Sequence, residues 1–291
     1  MYNYIVIIII LLLLFYYISF KKKEGFENNN QKIAVIICGF APRSFKYTYK
    51  YIDKNIIQHL KKNNFNVDVF HHSLLSKKNR VESTRDGEEN LPINNDDVYL
   101  LKAKIETEYQ EDIHLPNNKV NCWTQNEVFT NACRGIYSEY KAFNLINPNN
   151  YESSILITSD SLFLKPISIE EVKDTIKNKN IIYTTPYNKS CGRGECGRAN
   201  GFYISHPSIL KKITSRFFDI ENFCEVNKSL INQDLNSEFF LKTVLDNNNI
   251  INKDSNMFYL KIRANKKSNH YIKLIDQYNI ENADEIKKLY S

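Results

Sequence analysis

The sequence predicts an α/β fold in which helices sandwich a mainly parallel sheet, preceded by one N-terminal transmembrane helix. From residue 33 onward, short apolar, β-branched runs alternate with amphipathic stretches, the pattern of a parallel sheet covered by helices. Two runs, Ile33–Cys38 and Ser154–Thr158, are nearly continuous in apolar residues, as expected for strands buried on both faces. Before them, Tyr4–Phe20 is a run of seventeen residues without a charge, at the short end of the length that spans a bilayer.

The composition is that of a chain with a packed core, and it excludes several classes of protein. With 8 Gly and 7 Pro among 291 residues, the chain is neither collagen-like nor of low complexity. Its formal net charge of +6 is too small and too evenly spread to indicate a nucleic-acid partner. A solvated, lysine-rich surface explains this charge, which would also suit an anionic membrane or a phosphate-bearing substrate. Cys38 ends an apolar run and is expected to be a buried free thiol.

The N-terminal region divides into two predicted parts. Residues 1–20 form a transmembrane anchor and residues 21–31 a polar linker, so that residues 32–291 form the folded domain. A cleaved signal peptide would need a basic segment before the apolar run and a small-residue cleavage site, and the sequence has neither. We therefore expect an uncleaved, single-pass anchor and a membrane location.

The orientation of this anchor stays open on the sequence. Lys21, Lys22 and Lys23 follow the span, and the positive-inside rule then places the folded domain on the cytoplasmic side. Asn188 and Asn227 each begin an Asn-Lys-Ser triplet, which is a formal glycosylation acceptor and favours a lumenal domain. In so asparagine-rich a chain, two such triplets are close to chance.

Candidate strands and helices alternate along the folded domain. The strands are Ile33–Cys38, Val67–His71, Val98–Leu101, Ser154–Thr158, Ile181–Thr185, Gly201–Ser205 and Phe258–Ile262. Apolar residues three or four apart predict core-facing helices between several of them. These stripes are Phe45, Tyr49, Ile52, Ile56 and Leu60, then Ile136, Tyr140, Phe143 and Ile146, and later Leu235, Phe239 and Val244. Ser168 with Glu171 forms a capping-box pattern, and Pro207 suits the first turn of a helix.

The ends of the strands are where function is expected, because ligands of such folds bind beyond the carboxyl ends of the strands. These positions are Gly39–Arg43, His71–Ser73, Ser159–Ser161 and the loop after Thr185. The adjacent His71 and His72 could be ligands, but such a pair is more often structural.

The turn after the first strand is a candidate phosphate site. Gly39 would let the backbone approach a ligand closely, and Arg43 could clasp a diphosphate with its planar guanidinium. A solvated arginine in a turn explains the pattern equally well. Neither GxGxxG nor GxxxxGK followed by Ser or Thr occurs, so neither a dinucleotide-binding fold nor a P-loop is supported.

Asp160 follows the buried strand Ser154–Thr158 and is the candidate metal ligand and a candidate catalytic carboxylate. An acidic residue at a strand end is well placed to hold Mn²⁺ or Mg²⁺ against a nucleotide diphosphate, because hard cations prefer carboxylate oxygen. Ser159-Asp160-Ser161 is also good turn chemistry, so a purely structural turn is the alternative.

Asp234 and Glu238 are two further candidate catalytic carboxylates. They are four residues apart, which would place both on one face of a helix, where they could supply a base for an acceptor hydroxyl. Alternatively, Asp234 caps the helix and Glu238 is its solvated companion.

The stretch Cys191–Arg198 holds three glycines and two arginines and is predicted to be a cationic substrate loop. Arg193 and Arg198 are its candidate ligands for the phosphates of a donor. Cys191 and Cys196 could pair with each other, while the lack of a second cysteine or histidine pair at metal spacing argues against zinc.

Five stretches in one order resemble a family of GT-A-like glycosyltransferases of large DNA viruses, algae and bacteria. They are Ile33–Leu74, Tyr137–Ile146, Ser154–Phe163, Ala199–Arg216 and Leu235–Leu241. In that family an apolar strand leads to a Gly and an Arg, then to a Phe-bearing helix and an Asp-Val-Phe-x-His strand. A Tyr-Lys helix, an Arg-Pro-Asp-Leu segment and a Glu-bearing helix follow.

The resemblance implies a GT-A-like fold, a nucleotide-sugar donor and, usually, a divalent metal. By position it assigns Arg43 to the donor phosphates, Asp160 to metal or donor, and Glu238 to the acceptor side. The sequence departs from the family at Thr158-Ser159, which replaces the Arg-Pro, and Asp160 lacks the second carboxylate of an Asp-x-Asp motif.

Two functions follow as hypotheses. The first is a membrane-anchored glycosyltransferase that transfers a sugar from a nucleotide-sugar donor to a glycan, protein or lipid acceptor. The second, favoured by the altered Thr158-Ser159-Asp160 segment, is a catalytically weak or inactive relative that serves as a membrane-anchored binding or virion structural module.

Overall fold

The central sheet confirms the α/β prediction. The computed structural model describes residues 31–82, 87–116, 126–187, 191–192, 195–227, 236–268 and 272–290. Their strands are β1 (Lys32–Gly39), β2 (Asn66–Leu75), β3 (Lys104–Tyr109), β4 (Ser153–Thr158), β5 (Ser161–Phe163), β6 (Ile181–Thr184), β7 (Cys191–Gly192), β8 (Glu195–Cys196), β9 (Phe202–Ser205), β10 (Ile251–Asp254) and β11 (Tyr259–Lys261). Within these residues, seven strands form one sheet in the order β10-β6-β9-β4-β1-β2-β3.

The sheet is mainly parallel, with one reversed strand. β1 runs parallel to β2 and to β4, β2 runs parallel to β3, and β6 runs parallel to β10. Only β9 among these seven described strands is antiparallel to its neighbours, β4 and β6. The carboxyl ends of β1, β2 and β4 therefore meet at one edge. The chain leaves β1 for β2 on one side and later returns to β4 on the other, so this edge is a topological switch point.

Helices cover the sheet. They are α1 (Phe45–Ile52), α2 (Gln58–Lys62), α3 (Asn126–Asn144), α4 (Ile169–Lys177), α5 (Pro207–Thr214), α6 (Ile220–Val226), α7 (Ser237–Asn247) and α8 (Ala283–Tyr290). A π-helical turn, Asp53–Ile57, joins α1 to α2, and the 3-10 segments are Ala41–Arg43, Asn95–Leu100, Pro148–Asn150, Ser215–Asp219 and Ile272–Tyr278.

β1 shows why its run of apolar residues is continuous. Every side chain from Ile33 to Ile37 is fully buried. Alternate residues enter different cores: Ile33, Val35 and Ile37 belong to one cluster, whereas Ala34, Ile36 and Cys38 belong to another. Because successive side chains point to opposite faces of a strand, each core lies on one side of the sheet. Cys38 is a buried free thiol, as predicted.

The first predicted helical stripe is confirmed. Phe45, Ile52, Ile56 and Leu60 are fully buried along α1, the π-helical turn and α2. The extra residue of the π-helical turn places Asn55 inside, where its side-chain amide donates to the Phe163 carbonyl oxygen at 2.7 Å. This contact ties the helical segment to β5, beside the strand end that carries Asp160.

The predicted strand Val98–Leu101 is wrong. Asn95–Leu100 forms a 3-10 helix, whose first turn is closed by the Asn94 side chain accepting from the Asp96 amide at 3.1 Å. The edge strand of the sheet is β3 instead. Its sequence, KIETEY, alternates charged residues with Ile, Thr and Tyr, and none of its side chains is buried, so it lacks the apolar run by which buried strands are found.

The predicted helix starts at Ser168 and Pro207 are confirmed. Ser168 is the N-cap of α4, and its hydroxyl oxygen accepts from the Glu171 amide at 3.3 Å. The Glu171 carboxylate does not complete the capping box; it accepts from the Ser255 hydroxyl at 2.6 Å and the Asn256 amide at 2.7 Å. Pro207 begins α5, where it has no amide hydrogen to leave unsatisfied.

Among the described residues, no helix is both long and apolar enough to cross a membrane. Residues 1–30 lie outside the described residues. The anchor at residues 1–20 and the linker at residues 21–31 therefore stay predictions.

Candidate functional site

A cavity of about 280 Å³ opens at the switch point of the sheet. Three of the predicted site residues, Gly39, Arg43 and Asp160, line it together. The other lining residues come from the turns after β1 and β4, from the end of β2 and the loop that follows it, from the residue after β3, from α3 and from β11: Phe40, Leu74, Val81, Glu82, Gln110, Glu127, Asn131, Arg134, Gly135, Thr158, Ser159 and Lys261. The residues that follow β1 and β4 therefore line one cavity, as expected from their positions at the strand ends.

Gly39 ends β1 in a conformation that favours glycine. Its φ angle is +113°, and a Cβ atom would lie 3.3 Å from the Ser159 hydroxyl oxygen. Its amide donates to the Ser138 hydroxyl oxygen at 2.7 Å, which fixes the turn against α3. A larger residue would strain this turn and crowd Ser159, which lines the cavity beside Gly39.

Arg43 reaches the cavity already paired. Its Nε donates to the Glu88 carboxylate at 2.9 Å, and its Nη2 makes a second contact with the same group. Glu88 is fully buried and also accepts from the Ala264 amide at 2.9 Å. The planar fork that was predicted to clasp a diphosphate is therefore held by a carboxylate of the protein.

Asp160 sits in a turn that is fixed from two sides. The Ser159 amide donates to the Cys38 carbonyl oxygen at 2.8 Å, and the Ile262 amide donates to the Asp160 carbonyl oxygen at 2.9 Å. Its carboxylate Oδ1 accepts from the Lys261 ammonium at 2.7 Å, and Oδ2 lies 3.8 Å from Arg263 Nη1. Both carboxylate oxygens thus face a cation of the protein.

These cations decide the ionisation of Asp160. Burial alone would raise the pKa of this carboxyl, but the positive charges of Lys261 and Arg263 outweigh it and hold the pKa well below its usual range. Asp160 is therefore an ionised carboxylate at any physiological pH.

Lys261 is a site residue that the sequence did not reveal. It ends β11, which pairs antiparallel with β5 so that Lys261 lies opposite Ser161. Its ammonium contacts the Thr158 hydroxyl as well as Asp160. Gly201, whose φ is +83°, leaves room for this arrangement, because a Cβ there would lie 2.8 Å from Thr158 Cγ2 and 3.4 Å from Lys261 Nζ.

Arg134 is a second site residue missed at the level of sequence. It lines the cavity from α3, on the same helix face as Glu127, Asn131 and Gly135. Its Nε is buried and has no hydrogen-bond partner in the described part of the chain. The only available signal was its position in an amphipathic helix, and that pattern distinguishes apolar from polar faces without showing what the polar face meets.

The residues around Asp160 do not fit the divalent cation that the family resemblance implies. The Lys261 ammonium and the Arg263 guanidinium face the two carboxylate oxygens. A metal ion bound to this carboxylate would be repelled by these positive charges. Asp160 also belongs to none of the groups of three metal-ligating side chains found among the described residues.

Those residues do contain one such group away from Asp160, formed by His72, Glu106 and Glu108. Their ligand atoms lie within 4.8 Å of one another. The Lys141 ammonium lies 3.1 Å from Glu106 and 2.6 Å from Glu108, so a cation of the protein already contacts both carboxylates and offsets one of their two charges. The group could hold a metal ion only by displacing Lys141.

The remaining predicted residues lie elsewhere. Glu238 is in the first turn of α7, and its carbonyl oxygen accepts from the Arg198 amide at 2.9 Å. Gly197 packs tightly there, since a Cβ would lie 2.5 Å from the Glu238 carbonyl carbon. Neither Glu238 nor Arg198 is among the residues that line the cavity. Asp234 and Arg193 lie outside the described residues, so their roles stay predictions.

Comparison with known proteins places the chain in no family. No protein-family model and no curated protein matches the chain. Among solved structures, the chain is similar to the crystal structure of mouse xyloside xylosyltransferase 1 in its apo form, with 7% sequence identity over 77% of this chain and 84% of that one, and a TM-score of 0.38. A likeness of this degree establishes neither a shared activity nor a shared ligand.

Proposed function

We propose that the chain is a glycosyltransferase that takes a sugar from a nucleotide-sugar donor and binds the diphosphate of that donor in the cavity at the switch point. The observation that carries this proposal is the convergence of Lys261, Arg134 and Arg43 around Asp160 at the carboxyl ends of β1 and β4. The ordered resemblance of the sequence to GT-A-like glycosyltransferases supports the same function.

The chemistry of sugar transfer explains why cations would gather there. As the bond between sugar and diphosphate breaks, negative charge develops on the departing nucleoside diphosphate. Fixed positive groups at that point stabilise the transition state without having to reorganise. Lys261 is held by Thr158 and Asp160, and so is already oriented before a donor binds.

The acceptor side is the less defined part of the proposal. Glu238 and Asp234 remain the proposed groups for orienting or deprotonating an acceptor hydroxyl of a glycan, protein or lipid. Glu238 would have to act from outside the cavity, across the contact between α7 and Gly197.

The alternative function is a binding or virion structural module with weak or no activity. The observation that favours it is the pairing of Asp160 with Lys261 and Arg263, which leaves this carboxylate without the role it is predicted to have in a metal-dependent transferase.

Binding of nucleotide sugars to the detergent-solubilised full-length chain tests the proposal. We expect a UDP- or GDP-linked sugar to raise the melting temperature and to be slowly hydrolysed. Lys261→Met should abolish both effects, because it removes a cation that faces the cavity. Lys62→Met, at an exposed lysine that ends α2, is the matched control and should behave as the natural chain. If no nucleotide sugar stabilises the protein, the enzyme hypothesis is wrong; binding without hydrolysis would favour the alternative module.

Membrane anchoring is proposed as part of the same function and has its own test. The full chain should stay with membranes after an alkaline carbonate wash, because seventeen uncharged residues at Tyr4–Phe20 would cross the bilayer. A chain that lacks residues 1–20 should be released. Release of the full chain by the wash would contradict the anchor.

A further inference from the structure

We infer that the diphosphate is held by fixed cations of the protein, chiefly Lys261 and Arg134, and that its binding needs no divalent metal. The inference rests on the proposed function and adds the means by which the donor is recognised. It departs from the metal dependence that the family resemblance implies.

The first argument is the environment of Asp160, the carboxylate to which a metal would be assigned. Lys261 and Arg263 lie at 2.7 and 3.8 Å from its two oxygens and balance its charge. A divalent ion there would have to displace one cation and would be repelled by the other. An anion that approaches the same place meets the Lys261 ammonium, which lines the cavity together with Arg134.

The second argument is the hydrogen-bonding capacity of Lys261. An ammonium has three N–H donors, and Thr158 and Asp160 use two of them. The side chain is 15% exposed and lines the cavity. The third donor is thus available to a phosphate oxygen, and the lack of a Cβ at Gly201 leaves room for the ammonium in this position.

The third argument is Arg134, whose Nε is buried without a partner among the described residues. A buried donor without an acceptor is unfavourable, so natural proteins rarely keep one unless a ligand or water completes it. The guanidinium is planar and has five donors, which suits two oxygens of one phosphate. Arg134 therefore provides the cation that can clasp the diphosphate, in place of the Arg43 fork that Glu88 holds.

The charges around the cavity support an anionic ligand. Arg43 is paired with Glu88, and Glu82 is paired with Lys78. Asp160 is paired with Lys261, and Arg134 brings a further positive charge to the cavity. Glu127 stands exposed at the rim, where solvent screens it.

Calorimetric titration of the full-length chain with UDP and with GDP, in EDTA and then in Mn²⁺, tests the inference. We expect at least one of them to bind with the same affinity in both solutions, within about a factor of two. Arg134→Gln should weaken that binding by about tenfold, since one charged hydrogen-bonding group is worth about that much. Arg134→Lys should recover part of the loss. Arg80→Gln, at an exposed arginine, is the matched control and should not change the affinity.

Asp160→Asn gives the sharpest contrast with a metal site. Removing its negative charge should tighten binding of the nucleoside diphosphate in EDTA by about threefold or more, because the cavity loses a negative charge and Lys261 loses its counter-charge. If Asp160 were a metal ligand, the same change would weaken binding. Thermal melting of each variant confirms that it is folded.

The outcomes separate the inference from the function on which it rests. Binding that appears only with Mn²⁺, or that Asp160→Asn weakens, overturns the metal-free site and leaves the glycosyltransferase proposal standing. If neither UDP nor GDP binds in either solution, both proposals are wrong.

Discussion

At the scale of single residues, the cavity depends on two glycines and on a few long-range polar contacts. Gly39 and Gly201 both have positive φ angles, and both lie beside the carboxyl end of β4. Lys261 and Asp160 are 101 positions apart in the chain yet form an ion pair at 2.7 Å. A substitution that strains one of these turns, or that leaves one of these charges unpaired, would therefore change the geometry of the cavity.

Gly39→Ala tests the conformational demand at the end of β1. We expect the free energy of unfolding to fall by about 1 to 3 kcal/mol, because an L-residue is strained at this φ and its Cβ would crowd Ser159. Chemical denaturation measures the change. Gly135→Ala is the matched control: it is a glycine within α3 with nothing within 4 Å of an added Cβ, and it should raise stability by about 0.5 to 1 kcal/mol. An unchanged stability for Gly39→Ala would show that the turn accommodates a side chain.

At the scale of elements, β2 combines a buried strand with two adjacent histidines. His71 and His72 are both fully buried. Burial lowers the pKa of His71 to about 3 and that of His72 to about 4, so both are neutral in the folded protein at pH 7. His71 packs against Phe45, with ring centroids 4.9 Å apart, and the Ser138 hydroxyl lies 2.9 Å from His72 Nδ1. The histidine pair is a packed part of the strand, in line with its structural interpretation.

The lowered pKa values of His71 and His72 make the folded protein less stable as the pH falls. Between about pH 6.5 and pH 4 the unfolded chain binds protons that the folded protein excludes, so the free energy of unfolding decreases as the pH falls. Each histidine contributes a slope of about 1.4 kcal/mol per pH unit. His71→Phe should remove its share of this slope in denaturation curves measured from pH 7 to pH 4.5. Equal slopes for His71→Phe and the natural chain would contradict the prediction.

At the scale of the whole molecule, a buried ion pair joins two helical segments that are far apart in the sequence. Arg216, in the 3-10 segment after α5, lies 2.8 Å from Glu139 of α3, and both side chains are almost completely buried. Burial raises the pKa of Glu139 above its ordinary value, although the positive charge of Arg216 opposes that shift. The pair connects α3, which lines the cavity, to the part of the chain that follows β9.

Breaking this pair should destabilise the molecule more than removing it. We expect Arg216→Met to lower the free energy of unfolding by about 3 to 5 kcal/mol, since Glu139 would be left buried and uncompensated. The double change Arg216→Met with Glu139→Gln should recover most of that loss, because no buried charge then remains. Denaturation of both variants measures the difference. A double variant no more stable than Arg216→Met would show that packing, and not charge, is what Arg216 supplies.

Much of the fold could be predicted because its signals are local. The apolar runs of β1 and β4, the stripe of Phe45 and its neighbours, and the helix starts at Ser168 and Pro207 all depend on residues close in the chain. β3 escaped prediction because an edge strand needs no apolar run. The strand was predicted instead at Val98–Leu101, most of which belongs to the 3-10 helix Asn95–Leu100. The parallel order of the sheet follows from alternating strands and helices, but the reversed direction of β9 does not.

The sequence by itself determined the layered α/β class and brought Gly39, Arg43 and Asp160 to the ends of buried strands, because strand burial and turn chemistry are properties of short segments. Only the tertiary structure decided how these residues are paired. Glu88 holds Arg43, Lys261 and Arg263 hold Asp160, and Arg134 alone of these cations has a buried guanidinium nitrogen without a partner among the described residues. Such pairings arise when whole layers pack and bring distant segments into contact, and no periodicity along the chain encodes which charges will then meet.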